Sequence, residues 1–197
     1  AGIWTSASLA ATPNQIPRIR AQFAEMSKRF GFSPQGHAGK ALVHALTSLP
    51  NDILTCLSDA EVERLATTTM SLIDRPRPRL ALFAAPLQRH LFAFAWVPRD
   101  SMATATRLQI AQMLVDAADA PVLDWATQIE GGLALVRFVL DLPEVAHIPD
   151  EAALDMQLQA MLRGWADAVE AEISATEEAS RAAAIAARYA EAFPLAY

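Results

Sequence analysis

Glycines, histidines and one cysteine bound the chemistry this 197-residue chain can offer. A phosphate loop needs closely spaced glycines between a strand and a helix, so that backbone amides can approach the anion. Gly31-Phe-Ser-Pro-Gln-Gly36 has the first spacing of such a loop, but His37 stands where lysine is required and no strand is predicted before it. Gly36-His-Ala-Gly-Lys40 reads as a plain turn into a helix rather than an anion cradle. His37, His44, His90 and His147 show neither H-x-x-x-H nor H-E-x-x-H spacing and have no cysteine partner, which leaves zinc without support. No serine sits in a G-x-S-x-G elbow, and no carboxylate pair is spaced for acid–base work. His90 reads as a satisfied core or turn residue, Cys56 as a small buried apolar one, and Glu130 as a hydrogen-bonding residue that holds a hairpin. Arg75, Arg77 and Arg79, interleaved with Pro76 and Pro78, read as a solvated lead-in to a strand rather than an anion site. The residues by themselves assign no catalytic, cofactor-binding or metal site.

The elements that would position any site centre on Arg79 to Leu142. Before them, residues 1–15 read as an extended arm. Ile16, Ile19, Phe23, Met26 and Phe30 form one helical stripe, with Pro17 tolerated in the first turn. A second helix is predicted from Lys40 to Ser48 and stopped by Pro50. A third begins at the capping box Ser58-Asp-Ala-Glu61 and runs through Leu72. Leu80, Leu82 and Phe83 start the first strand, and Pro86 to Arg89 turn the chain. In the second strand His90, Phe92, Phe94 and Trp96 line one face and Leu91, Ala93, Ala95 and Val97 the other, so it is expected to be central and covered on both sides. A helix over Ser101–Ala118 should present Thr104, Arg107, Leu108, Ala111, Leu114, Val115 and Ala118 to the sheet. The third strand should point Leu123, Trp125, Thr127 and Ile129 inward. Gly131-Gly132 supplies a tight hairpin, and Ala134, Val136, Phe138, Leu140 and Leu142 line the fourth strand. The β-β-α-β-β order predicts an α+β fold: a small four-stranded antiparallel sheet, ferredoxin-like or a close permutation, with helices on one side. Helices over Asp150–Ile173 and Thr176–Ala192 follow. The first carries a wide stripe of Leu154, Leu158, Met161, Leu162, Trp165 and Val169, which must pack on something. Three parts are expected: 1–74, an arm with helices; 75–149, the α+β domain; and 150–197, a helical segment. The apolar Phe193-Pro-Leu-Ala-Tyr197 suits a chain cut from something longer.

Composition narrows the functional classes. A hydrophobic fraction of 53% and mean hydropathy of +0.19 exclude a disordered tail. Net charge of -6 argues against a surface that tracks nucleic-acid phosphates, because counterion release requires clustered cations. No run near the sheet approaches the roughly twenty apolar residues that cross a bilayer. With no leader pattern at the start and one cysteine, a reducing cytoplasm is the expected setting.

Three groups of motifs then resemble the N-terminal region of the large bacterial NAD-specific glutamate dehydrogenases. I-P-R-I-R (16–20), G-H-A-G-K-A-L (36–42) and L-P-N-D-I-L (49–54) are similar to that family's I-P-x-L-R, S-H-D-x-K-A-L and Y-P-R-D-E-L-F. W-V-P-R-D-S-M-A-T (96–104) with Arg107, and I-E-G-G-L-A-L-V-R-F (129–138), resemble V-Y-V-P-R-D-x-Y-N-T followed by Arg, and S-E-S-x-L-A-R-V-H-F. R-G-W-A-D-A-V (163–169) and A-R-Y-A-E-A-F-P-L-A-Y (187–197) are similar to R-x-W-x-D-x-L and R-Y-A-x-A-F-P-x-x-Y. The resemblance implies an ACT-like regulatory domain flanked by helices, with the catalytic domain and its NAD site further along the parent chain and no cofactor in this region. It also implies a parent that oxidatively deaminates L-glutamate to 2-oxoglutarate in amino-acid catabolism. The partners it implies are the parent's other domains and subunits in a homo-oligomer, together with an amino-acid effector. The alternative is a structural oligomerisation spacer with no ligand site. The sequence departs from the family's charges at Asn51, Ile53, Ala84-Ala85, Gly131 and Leu135.

Overall fold

The computed structural model describes residues 5–189 apart from 34, 48, 74, 145, 146 and 164. The apolar C-terminal run of residues 193–197 lies outside the described residues. Among the described residues five α-helices precede the sheet: α1 (Ser6–Ala10), α2 (Pro17–Phe30), α3 (His37–Thr47), α4 (Asn51–Cys56) and α5 (Asp59–Ile73). The strands are β1 (Arg79–Ala84), β2 (His90–Pro98), β3 (Val122–Glu130) and β4 (Leu133–Asp141), with α6 (Thr104–Ala118) between β2 and β3. After the sheet come α7 (Glu151–Met161), α8 (Trp165–Ile173) and α9 (Ala179–Tyr189).

The N-terminal arm is thus partly helical rather than extended. The helix α4 arises because Pro50 does not only stop α3: it is the N-cap of the next helix, where its missing N–H costs nothing. The capping box forms as the spacing requires, with Ser58 N donating to Glu61 Oε2 at 2.8 Å and Glu61 N to Ser58 Oγ at 3.3 Å. The expected long helix after Pro149 ends at Met161 and restarts at Trp165.

All strand pairs are antiparallel and the order is β1-β2-β4-β3. Moving β4 and α7 ahead of β1 converts this order into the ferredoxin-like β-α-β-β-α-β sheet, so the fold is α+β and a circular permutation of that layout. The helices are not confined to one side. Leu80, Leu82, Leu91, Ala93, Val97 and Phe138 pack against Ile110, Met113 and Leu114 of α6 and Leu154 and Leu158 of α7. On the opposite face Phe83, Phe92, Phe94, Trp96, Leu133 and Leu135 meet Ile19, Leu42, Leu54, Leu65 and Leu72 of α2–α5. The two-sided apolar pattern of β2 is explained by these two layers, and β2 is buried from Leu91 to Val97.

Two faces differ from expectation. The buried stripe of α6 is Ile110, Met113, Leu114 and Ala118, while Leu108 is 54% exposed. Both stripes obey helical spacing, and the packed one carries the larger aliphatic groups. In β3 the residues expected inward are exposed, Leu123 and Ile129 at 56% and Trp125 at 46%. They lie on the α6 side, as the register of Trp125 with Phe138 shows, but β3 is at the margin of the sheet.

At the hairpin tip only Gly131 has positive φ, at +54°, which suits a type II′ rather than a type I′ turn. The β1–β2 turn is less comfortable. Pro86 is followed by Leu87 at φ 70, ψ 5, and Gln88 N donates to Ala85 O at 2.9 Å. This is a type II turn with leucine where glycine is preferred. Leu87 is 91% exposed, so its side chain gives little packing in return. Leu87→Gly is expected to raise stability by about 1 kcal/mol, read as a higher urea midpoint at unchanged slope.

Candidate functional site

A cleft of about 290 Å³ opens between the N-terminal helices and the sheet. Its walls are set by α3, which contributes His44 and Ala45; by α5, which contributes Thr69 and Ile73; and by the Gly131-Gly132 turn. Trp96, Leu133 and Leu135 form an apolar lining. Across the mouth, His44 Nε2 meets Glu130 Oε1, and both side chains are about half exposed (47% and 49%). A pair so open to water contributes well under about 1 kcal/mol, so it bridges helix and hairpin without locking them.

This geometry suits binding rather than bond-making. An imidazole beside a carboxylate resembles the base half of a catalytic triad, which also needs a hydroxyl or thiol within reach. The cleft's hydroxyl, Thr69 Oγ1, donates to Leu65 O at 2.9 Å and is spent on its own helix. Trp96 is wholly buried, and its Nε1 has no hydrogen-bond partner among the described residues.

The Glu130 carboxylate reaches across to His44 of α3. His90 is half-buried at the start of β2, where its carbonyl accepts Ala85 N at 2.8 Å; its Nδ1 lies 3.6 Å from Asp141 Oδ1 and has no hydrogen-bond partner among the described residues. That separation exceeds hydrogen-bond range. Cys56 is exposed, not buried, because α4 turns Asn51, Ile53 and Leu54 inward and leaves its last residue at the surface. Partial burial of the sulfur, and then the Asp52 carboxylate, raise the thiol pKa, while Arg18 opposes them. His37 starts α3 after a turn closed by Gly36 N to Ser33 O at 2.9 Å, so this glycine-rich stretch is an ordinary helix entry. His147 is exposed. Among the described residues no three His, Cys, Asp or Glu side chains are grouped for a metal.

Arg75 and Arg77 are exposed, as a lead-in would have them, but Arg79 is committed. Its Nη1 donates to Asp155 Oδ2 at 2.7 Å, and Asp155 Oδ1 accepts Leu80 N at 2.6 Å. One turn earlier on α7, Glu151 Oε2 accepts Leu82 N at 2.8 Å and Arg64 Nη2 at 2.8 Å, while Arg64 also donates to Leu82 O at 3.1 Å. Side chains thereby satisfy the outer edge of β1. Asp155 and Glu151 belong to no catalytic or metal-binding motif, although a carboxylate next to Leu154 inside an apolar stripe is itself a signal, since buried acids require partners.

Known proteins place both layers of this cleft in one context. The family model described as "Glutamate dehydrogenase, helical motif 1" matches residues 16–75, and "Glutamate dehydrogenase, ACT2 domain" matches residues 79–166. Over its whole length the chain is 30% identical to the NAD-specific glutamate dehydrogenase of Pseudomonas aeruginosa and 30% identical to that of Halomonas elongata, spanning 12% of each. It is 28% identical to the protein of the same name from Mycobacterium tuberculosis, spanning 13% of it. The chain thus corresponds to about an eighth of each relative. No described helix is long and apolar enough to cross a membrane.

Proposed function

Because this chain belongs to the glutamate dehydrogenase family, through its helical motif 1 and ACT2 domain, we propose that it is a non-catalytic regulatory and assembly region of a cytoplasmic NAD-specific glutamate dehydrogenase. In this reading the whole protein oxidatively deaminates L-glutamate to 2-oxoglutarate and holds NAD elsewhere in its length. The region contributes conformation: an amino-acid effector or a neighbouring domain binds differently to two arrangements of helices and sheet, and so biases the enzyme.

The observation that carries this reading is the location of the cleft. Its walls come from both matched modules, with His44, Ala45, Thr69 and Ile73 in the helical motif and Trp96, Glu130 and Leu135 in the ACT2 domain. Whatever enters it touches both and changes the free energy of their contact. The pair across its mouth is weak enough to open.

The test is to block the cleft in the full-length enzyme. Ile73 stands at the rim, 41% exposed. Ile73→Trp should blunt the change in glutamate oxidation produced by added amino acids, while subunit assembly and unstimulated turnover persist. An unaltered response would defeat the reading. Loss of the sheet (79–142) that leaves the response but dissociates the subunits would favour a structural spacer instead.

A further inference from the structure

Strand β4 carries a cation on a face of the sheet that helices cover. Arg137 alternates with Val136 and Phe138 of the α6 layer, shares the face of Leu133 and Leu135 toward α2–α5, and opposes Ala126 of β3. Its side chain is 17% exposed, and Nε is buried with no hydrogen-bond partner among the described residues. Asp124 Oδ2 stands 3.8 Å from Arg137 Nη2, outside hydrogen-bond range, on a side chain that is 67% exposed. A guanidinium withdrawn from water to this degree needs acceptors for its donors, and a carboxylate at that distance does not supply them. Arg137 lines a second cleft, about 310 Å³, with Thr47, Leu49 and Pro50 opposite. Gln128 and Leu135 border both this cleft and the one at Trp96, so the two run into each other along β3. One end offers a guanidinium beside a carboxylate, and the continuation offers Ala45, Ile73, Trp96 and Leu133 as apolar walls. In the related family motif, S-E-S-x-L-A-R-V-H-F, arginine stands at the place of Leu135 and histidine at that of Arg137. The placement of cation and apolar lining is therefore this chain's own.

From these observations we infer that the joined clefts bind a free α-amino acid with a large aliphatic side chain. Its carboxylate sits on the Arg137 guanidinium, its ammonium on Asp124, and its side chain runs past Leu135 toward Trp96. An α-amino acid holds its ammonium nitrogen and carboxylate carbon about 2.5 Å apart across one Cα, so a cation and an anion standing side by side take both groups at once. The planar fork of a guanidinium suits the two oxygens of a carboxylate. A simple acid would satisfy Arg137 and leave Asp124 unused, and a simple amine would do the reverse. The side chain is aliphatic rather than charged because the walls beyond Leu135 are apolar, and the two ionisable groups at that mouth, His44 and Glu130, already meet each other. This inference rests on the regulatory half of the proposed function and deepens it by naming the class of effector and the groups that hold it.

Calorimetric titration of the 197-residue chain with L-norleucine tests it, beside hexanoate, which lacks the ammonium, and pentylamine, which lacks the carboxylate. Norleucine should bind with Kd below about 1 mM, and each truncated probe at least about 10-fold more weakly. Arg137→Leu should weaken norleucine binding about 100-fold or more. Its urea midpoint should not fall, because leucine removes a buried charge that is short of partners. Asp124→Asn, at an exposed position, should weaken norleucine about 5-fold and leave hexanoate unchanged. No binding at about 10 mM norleucine, hexanoate bound as tightly as norleucine, or norleucine binding indifferent to both substitutions would each overturn it. A less stable Arg137→Leu beside an Asp124→Asn that binds normally would do the same, by making Arg137 a structural residue. Binding as described, in a full-length enzyme whose glutamate oxidation ignores norleucine, removes the regulatory reading and leaves the site standing. No binding here, beside an intact response of that enzyme to other amino acids, removes the site and leaves the reading.

Discussion

Asp155→Ala should cost about 2–4 kcal/mol, the largest loss expected from any single polar residue in the chain. The residue is 6% exposed, and its carboxylate holds three donors: Leu80 N at 2.6 Å, Arg79 Nη1 at 2.7 Å and Gln159 Nε2 at 2.8 Å. Arg79 is half exposed and can turn to water, so its share of the loss is small. The Leu80 N–H cannot, because it is buried at the sheet edge and Asp155 Oδ1 is its acceptor among the described residues. The penalty is therefore chiefly that of an orphaned backbone donor. This ranks the substitutions: Asp155→Asn retains an acceptor for Leu80 and loses only charge, so it should cost about 1–2 kcal/mol. Urea denaturation of both variants checks the order, and equal losses would mean that charge rather than the backbone donor sets the cost. Alanine also reopens β1 as a pairing edge, so Asp155→Ala should associate at concentrations at which Asp155→Asn does not.

Some of this architecture was legible residue by residue. Leu91 to Val97 has no polar side and could only be a covered central strand, and Ser58 with Glu61 announced the start of α5 through local bonds that need no tertiary context. The second helical layer was less legible. The pattern of β2 required cover on both faces but did not say which helices supplied it, and the three helices expected before the sheet carried no mark of which face they would cover. In β3 the alternation of Leu123, Trp125 and Ile129 is the same whether or not a neighbour covers that face; position in the sheet, not pattern, exposes it. The cleft was the least legible feature. His44 and Glu130 lie far apart in sequence on elements of different type, and only the stacking of helices on sheet brings them together. Asp155 belongs with them, since its partners Arg79 and Leu80 are reached only when α7 lies along β1.

Trp96→Ala should destabilise the chain by about 3–5 kcal/mol, whereas Trp96→Phe should stay within about 1 kcal/mol of wild type. The first figure follows from the void left by the largest wholly buried side chain among the described residues. The second follows from an offset, because phenylalanine fills less space but also removes an indole N–H that is buried without a hydrogen-bond partner among the described residues. Thermal unfolding of the two variants separates the terms, and a phenylalanine as costly as alanine would mean that the N–H is satisfied by water inside the cleft. The same residue connects cleft and edge. Trp96 stacks on Phe94 with centroids 6.3 Å apart, Phe94 meets Phe83 edge-on at 5.6 Å, and the Arg64 guanidinium lies 4.5 Å from the centre of Phe83. Arg64 in turn holds Glu151 and the Leu82 carbonyl. Packed rings cannot shift independently, so loosening the cleft floor should be felt at the clamp on β1. Amide exchange at Leu82 should accelerate in Trp96→Ala beyond the change set by global stability alone and remain unaltered in Trp96→Phe. Acceleration confined to β2 and β4 would show that the cleft and the β1 edge move independently.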